Sequence, residues 1–232
     1  MHIIYTPHIE DDAHMLDPEE SRHCLKVLRM KTGDAALAVD GTGTLYEGKI
    51  TVMDTRHCLF EVTSKQQNYQ PLPYRLTLAI APTKSMDRFE WFLEKATEIG
   101  VSRIIPILCE HSERRRVRTD RMERVVIAAM KQSVKAFKPE ICEPMAMQDW
   151  LSHDDADTGL IAHCMESDKM SLWKTPLMKK ISIAIGPEGD FTREEVHKAV
   201  SAGFKEVSLG DYRLRNGTAG FVACTAVYSR HL

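Results

Sequence analysis

The sequence predicts an α/β fold, with a small β-barrel over residues 1–70 and a larger α/β domain built on a parallel sheet over 71–232. Three observations point there. From Arg75 onward strand-like and helix-like segments alternate, the pattern of parallel strands joined by right-handed crossovers. Before that point the segments are short, β-like and divided by a glycine-bearing turn, as in a small barrel. Between the two lies the stretch 64–74, polar and carrying Pro71 and Pro73, which reads as the linker.

Taken in order, Ile3, Ile4 and Tyr5 form a short strand. Asp17 caps a helix with Pro18 at its first position, and Glu20 three residues on completes a capping box. That helix carries His23, Cys24, Val27, Leu28 and Arg29. Strands over 35–39, 44–53 and 58–62 follow, the first two joined through Asp40-Gly41-Thr42-Gly43. In the larger domain a strand over 75–81 leads through Lys84 and Ser85 to a helix from Asp87. Phe89, Phe92, Leu93, Ala96 and Ile99 share its apolar face, and Gly100 stops it. A strand over 101–109 and an amphipathic helix over 118–137 come next. The strand over 159–164 carries His163 at its C-terminal end, as a packing or a pocket residue, and 165–180 reads as polar loop. Ile181, Ile183 and Ile185 alternate with smaller or polar residues, which marks a strand, and Gly186-Pro187-Glu188-Gly189 ends it. Thr192 with Glu195 opens a helix that Gly203 closes. A strand over 206–209 ends at Gly210. The last helix, 219–228, is apolar on most sides, which suits a buried position or a subunit interface.

Composition excludes several classes. A chain of 232 residues with 43% hydrophobic and 28% charged residues is an ordinary soluble protein of one large or two small domains. The first residues lack the pattern of a signal peptide, and no apolar run is long enough to span a membrane. The six cysteines are scattered without a C-x-x-C pair, so neither a disulfide framework nor a zinc site is expected, and a reduced, cytoplasmic setting is. G-x-G-x-x-G, P-loop, G-x-S-x-G and H-E-x-x-H motifs are absent, and the ten histidines show no metal-ligand spacing, so no metal is expected. The net charge of −2 gives no general affinity for polyanions. Its distribution does more: residues 111–138 hold nine Lys/Arg, including Arg114, Arg115 and Arg116, against three acidic residues. Such a cluster is either a phosphate-binding footprint or a solvated helix face.

Two glycine-bearing turns follow consecutive strands of one parallel sheet, at the strand ends where such sheets bind ligands. Glycine there lets backbone groups approach a ligand without an intervening Cβ. Any one of these turns is equally a tight strand-to-helix connection. The set IGPEG, then Leu209-Gly210, then Leu214-Arg215-x-x-Thr218-Ala219 resembles the C-terminal signature of the SPOUT (trefoil-knotted) RNA methyltransferases, and among them the RsmE family, which methylates N3 of a uridine in 16S ribosomal RNA. His23-x-x-x-Val27-Leu28-Arg29, the Lys84…Glu94-Lys95-Ala96-Thr97-Glu98-Ile99-Gly100-Val101 segment and Gln132-Ser133 match further motifs of that family. Lys95 and Glu98 can equally be exposed helix charges.

The resemblance implies a knotted α/β domain whose backbone cradles S-adenosyl-L-methionine, behind a PUA-like barrel that helps hold RNA. Ile185, Gly186, Glu188, Gly189, Leu209, Gly210, Leu214 and Ala219 would line the cofactor cleft. Arg213 and Arg215 would stabilise the uridine anion, a task suited to a planar guanidinium. Arg29, Arg114, Arg115 and Arg116 would contact RNA within the small ribosomal subunit, and the protein would act as a homodimer. The chain departs from the family at Asn216-Gly217, where members carry T/A-E. If that carboxylate takes part in the chemistry, its loss weakens activity or Glu188 substitutes; if it caps the last helix, only stability is affected. The departure keeps two alternatives in view, a SPOUT methyltransferase on another RNA and an RNA-binding factor that no longer transfers methyl groups. A nucleotide-binding α/β protein would lack its phosphate motif.

Overall fold

The computed structural model describes residues 2–7, 9, 12–54 and 57–231, which form two compact units. The first unit comprises Met1–Pro71 with Ile127–Lys138, and the second Leu72–Val126 with Pro139–Leu232.

In the first unit the elements are β1 (His2–Tyr5), β2 (Ala13–Met15), α1 (Pro18–Lys26), β3 (Ala35–Val39), β4 (Leu45–Met53) and β5 (Cys58–Gln66). The five strands run in the order β1-β3-β4-β5-β2, antiparallel except for β1 against β3. Thr6, just past the end of β1, has its Oγ1 2.7 Å from Nε2 of His14 in β2. Ile4, Leu16, Cys24, Ile50 and Phe60 form the buried centre.

Three expectations are corrected here. Asp17 caps α1, accepting from the Glu19 and Glu20 N–H groups at 2.8 Å, but Glu20 does not close a capping box. Its carboxylate is buried, and it accepts instead from the Tyr5 N–H and pairs with Lys131, where an unpaired charge would be costly. The helix ends at Lys26, so Arg29 lies beyond it, exposed and left-handed at φ 53°. β5 continues into the expected linker because Ser64, Lys65 and Gln66 pair with Glu47, Tyr46 and Leu45 of β4.

The sequence reading places residues 127–138 within one domain, 71–232, whereas they pack in the first unit. Met130 and Ala136 are buried with Leu37, Val39 and Leu45. The Phe137 ring lies over Gly43, where a Cβ would come within 2.4 Å of it and φ is 112°, so only glycine fits. Backbone bonds from Gly43 N–H to Ala136 O and from Lys138 N–H to Gly41 O, each 2.9 Å, fix this contact.

The second unit contains β6 (Arg75–Ile80), α2 (Met86–Ile99), β7 (Arg103–Leu108), the start of α3 (Thr119–Gln132), β8 (Glu140–Ile141), β9 (Met145–Ala146) and α4 (Met147–His153). It continues with β10 (Thr158–Ala162), β11 (Met170–Ser171), a 3-10 turn (Leu172–Lys174), β12 (Lys180–Ile185), α5 (Arg193–Ser201), β13 (Lys205–Ser208) and α6 (Asn216–Ser229). Every strand pair is parallel, in the order β11-β13-β10-β12-β6-β7-β8, with β9 also on β7. Ile181, Ile183 and Ile185 of the central β12 face a core shared with Leu78, Ile80, Phe92 and α6. Ala184 faces a second core with Ile105, Trp150, Phe191 and Phe204. The alternation of large and small residues in β12 thus reports two buried faces rather than a wet and a dry one.

α2 ends at Gly100 in the left-handed conformation (φ 119°), and Thr192 and Glu195 form the full capping box of α5. α3 is shorter than the expected 118–137, because Val134 turns left-handed at φ 55°. α6 begins at Asn216, three residues before the expected start. β11 and the 3-10 turn lie in the stretch read as loop, with Leu172 fully buried.

Candidate active site

The parallel register aligns the ends of three neighbouring strands, with Ala162 of β10 opposite Ile185 of β12 and Ile185 opposite Ile80 of β6. Val207 of β13 lies beside Ala162 on the outer side. The loops that leave these ends, with the first turn of α6, enclose a cleft of about 1290 Å³. This is the carboxyl-end crevice where open parallel sheets bind ligands.

Of the residues singled out from the sequence, Ile185, Gly186, Glu188, Leu209, Gly210, Leu214, Ala219, Arg213 and Arg215 all line this cleft. Gly189 does not. It turns toward the other side of the loop, where a Cβ would stand 3.0 Å from His111 Cβ. There His111 Nδ1 lies 3.2 Å from Gly189 O and 3.0 Å from Asp190 O, so that nitrogen carries the proton and donates to the turn.

The cleft walls are tied to one another. The Glu188 carboxylate accepts from the Lys84 N–H at 3.0 Å, and its carbonyl accepts from Arg213 Nη2 at 3.2 Å. Arg114 donates from Nε to Thr83 O at 3.1 Å and from Nη2 to Lys84 O at 2.7 Å, bracing the loop between β6 and α2. Asn216 is buried at the head of α6. Its Nδ2 donates to Ala81 O at 3.0 Å and to Gly186 O at 2.6 Å, so the amide orientation is forced and Oδ1 is left buried without a partner among the described residues. Arg215 is exposed at the rim, and its side chain makes no hydrogen bond or ion pair among the described residues.

Gly217 and Gly220 bring α6 against α2. A Cβ on Gly217 would lie 3.3 Å from Arg88 O and 3.4 Å from Phe92 Cβ; on Gly220 it would lie 2.6 Å from the Phe92 ring. Position 217 is therefore also a packing feature, since the two helices approach closely there.

His163 stands just past the end of β10, its side chain 1% exposed. Nε2 lies 2.9 Å from Glu206 Oε1, which also accepts from Ser167 Oγ at 2.6 Å. Burial, with the Lys169 ammonium nearby, holds the imidazole below its ordinary pKa, while the Ser167 and His163 hydrogen bonds lower that of Glu206. Lys169 caps the carbonyls of His163 and Met165. Sequence reasoning found His163 but not Glu206 or Lys169, whose only signal is their position on the neighbouring strand end and loop.

The basic cluster is less free than its composition suggests. Arg118 and Arg124 both pair with Asp120, and Arg121 pairs with Glu90. Arg115 reaches only Glu110 O at 3.4 Å, and Arg116 makes no bond among the described residues. Lys95 is engaged by Glu94 and Glu98 on its own helix. Among the described residues no cluster of three His, Cys, Asp or Glu is placed to hold a metal ion, and no helix is long and apolar enough to cross a membrane.

Residues 70–228 match the family model of the RNA methyltransferase domain, and residues 16–63 match that of the RNA methyltransferase PUA domain. The ribosomal RNA small subunit methyltransferase E of Buchnera aphidicola is 30% identical, over 95% of this chain and 91% of its own. That of Aquifex aeolicus is 28% identical over 94% and 95%. Among solved structures, a probable rRNA-methyltransferase from Porphyromonas gingivalis superposes with a TM-score of 0.91 at 40% identity, covering 100% of this chain and 98% of its own. The ribosomal RNA small subunit methyltransferase E of Neisseria gonorrhoeae, bound to S-adenosyl methionine, gives 0.90 at 26% identity over 99% and 98%. The fold is thus the expected SPOUT-type α/β domain, with a PUA-like unit preceding it in the sequence. The chain belongs to the RNA methyltransferase family that includes the ribosomal RNA small subunit methyltransferases E.

Proposed function

We propose that this protein transfers a methyl group from S-adenosyl-L-methionine to N3 of one uridine in the 16S RNA of the small ribosomal subunit. The observation that carries the reading is the convergence of Gly186, Gly210 and the head of α6 on one crevice with Arg213 and Arg215 at its edge. The residues suit the cofactor: apolar Ile185, Val207, Leu209 and Leu214 offer contact for a nucleoside, glycine exposes backbone for its polar edges, and Asn216 Oδ1 is a buried acceptor awaiting a donor. When bound, the cofactor supplies an electrophilic sulfonium methyl.

The chain's part is to position the base and to stabilise the charge that develops as N3 loses its proton. Arg215, exposed at the rim with no side-chain bond among the described residues, is free to do so. Arg213 is held against the Glu188 carbonyl, which fixes its guanidinium near the same edge. Gly217 offers no carboxylate to accept the proton, and we assign proton removal to solvent, which reaches the exposed rim at Arg215. The first unit and the exposed Arg29, Arg115 and Arg116 contribute phosphate contacts, whereas Arg114 acts mainly as a brace. The half-exposed pair Trp91 and Phe221, with ring centroids 5.6 Å apart, supports a homodimer through α2 and α6, and sedimentation of the purified chain tests it. A cytoplasmic setting follows from such a substrate.

The test is transfer of labelled methyl to small subunits lacking the modification, with the modified base mapped. Label on one 16S uridine N3 is the expected result. Binding of the cofactor without transfer would favour another RNA or an RNA-binding factor, readings that the family and the intact cleft do not favour.

A further inference from the structure

His163 is the one residue in the cleft whose side chain is nearly sealed from solvent and still carries an unpartnered ring nitrogen among the described residues. Its Nε2 faces the Glu206 carboxylate at 2.9 Å, and a carboxylate can only accept, so Nε2 bears the proton. Ser167 Oγ, at 2.6 Å from the same oxygen, holds that carboxylate in place. Nδ1 is therefore a bare acceptor in a fixed orientation, and nothing within the described residues donates to it. A buried acceptor left unpaired costs about 1–3 kcal/mol, so such a group in a ligand crevice marks a bond that the ligand completes. The strand register strengthens this. Ala162 is opposite Ile185, so His163 flanks Gly186, one strand spacing (about 4.8 Å) from the turn whose carbonyl Asn216 holds on its other side.

We propose that His163 Nδ1 accepts a hydrogen bond from a neutral N–H or O–H donor on the nucleoside half of the bound cofactor, with Glu206 as the residue that fixes its tautomer. This rests on the proposed cofactor and deepens that reading by naming a recognition contact. A neutral acceptor backed by a carboxylate on its far nitrogen matches the exocyclic amine of adenine or a ribose hydroxyl. The cofactor's ammonium would find a better partner in the carboxylates Glu166, Asp190 or Asp211 of the same cleft.

The experiment uses the full-length chain and S-adenosylhomocysteine, so that binding is read without turnover. Isothermal titration calorimetry should show roughly tenfold weaker binding to His163→Phe, which keeps a planar aromatic ring and removes both nitrogens. The unliganded variant loses the Nε2–H bond to Glu206 together with the unpaired acceptor, two opposing effects, so its melting temperature at pH 8 should stay close to that of wild type. A purely structural histidine predicts the reverse, a lower melting temperature with unchanged affinity, and that result overturns the proposal. The 6-oxo and the 2′- and 3′-deoxy analogues locate the donor: the analogue lacking it should bind wild type and variant equally. If every analogue remains sensitive to the substitution, the assignment to a nucleoside donor is wrong. Independently of folding, the ¹⁵N resonance of His163 Nδ1 in wild type should move toward its hydrogen-bonded position when ligand is added; an unmoved resonance also refutes the contact. Failure of wild type itself to bind S-adenosylhomocysteine would instead refute the proposed cofactor.

Discussion

Replacing Gly220 with alanine tests the contact between α6 and α2 on which the cleft depends. The added Cβ would sit 2.6 Å from Phe92 Cε2 and 2.9 Å from both Phe92 Cδ2 and Ile80 Cδ1. Phe92 and Ile80 are fully buried, so neither can swing away into solvent. Overpacking of this kind costs about 1–3 kcal/mol, and contacts this short belong at the top of that range. Alanine recovers about 1 kcal/mol over glycine within a helix, which leaves a net loss of about 2 kcal/mol. At roughly 2–4 °C per kcal/mol for a chain of this size, scanning calorimetry should show the melting temperature falling by about 4–8 °C. Gly217→Ala is the control. Its Cβ contacts of 3.3 and 3.4 Å ask for only a small adjustment, and the helical gain should nearly offset it. A Gly220→Ala protein as stable as wild type, or a Gly217→Ala protein equally damaged, would refute the packing argument.

Three further outcomes are expected. Arg215→Ala should lower single-turnover methyl transfer by about 10²–10³-fold with cofactor affinity nearly unchanged, and Arg213→Ala by less; equal losses would deny Arg215 its separate role. Asn216→Ala strands the carbonyls of Ala81 and Gly186, at about 1–3 kcal/mol for each, so both the melting temperature and S-adenosylhomocysteine affinity should drop, whereas a loss of affinity alone would show that the bridge is not structural. The His163 pKa is held below its ordinary 6.5 in the folded chain, so the unfolded chain binds the extra proton first as pH falls. Its contribution is present in full above pH 6.5 and is lost as pH drops below it. Melting curves from pH 8 to 5.5 should therefore fall less steeply for His163→Phe than for wild type; parallel curves would contradict the assignment.

Much of this was legible because the chemistry is local. The Thr192–Glu195 box, the stops at Gly100 and Gly203 and the β12 strand each depend on residues within a few positions of one another. What was missed depends on distant partners. Glu20 abandons its capping box for Lys131, 111 positions away, and Asn216 reaches Ala81 across 135. The two-residue strands β8, β9 and β11 are too short for any periodicity to register. At the site, the glycine turns and both arginines could be placed on the cleft from sequence, but the direction in which Gly189 turns could not, since His111 decides it. Nor could composition show that the guanidinium of Arg114 is spent on two carbonyls.

The membership of residues 127–138 in the first unit has a consequence for how the chain emerges from the ribosome. By residue 71 all five strands of that sheet have been made, yet Leu37, Val39 and Leu45 still lack Met130 and Ala136, the residues that cover them. At roughly 5–20 residues per second the missing segment follows about 3–13 s later. During that interval the nascent unit carries an apolar face in water, a natural client for a chaperone. A fragment ending at residue 71 would keep that face permanently, so expressing the first unit by itself should yield aggregates, and appending 127–138 should restore solubility.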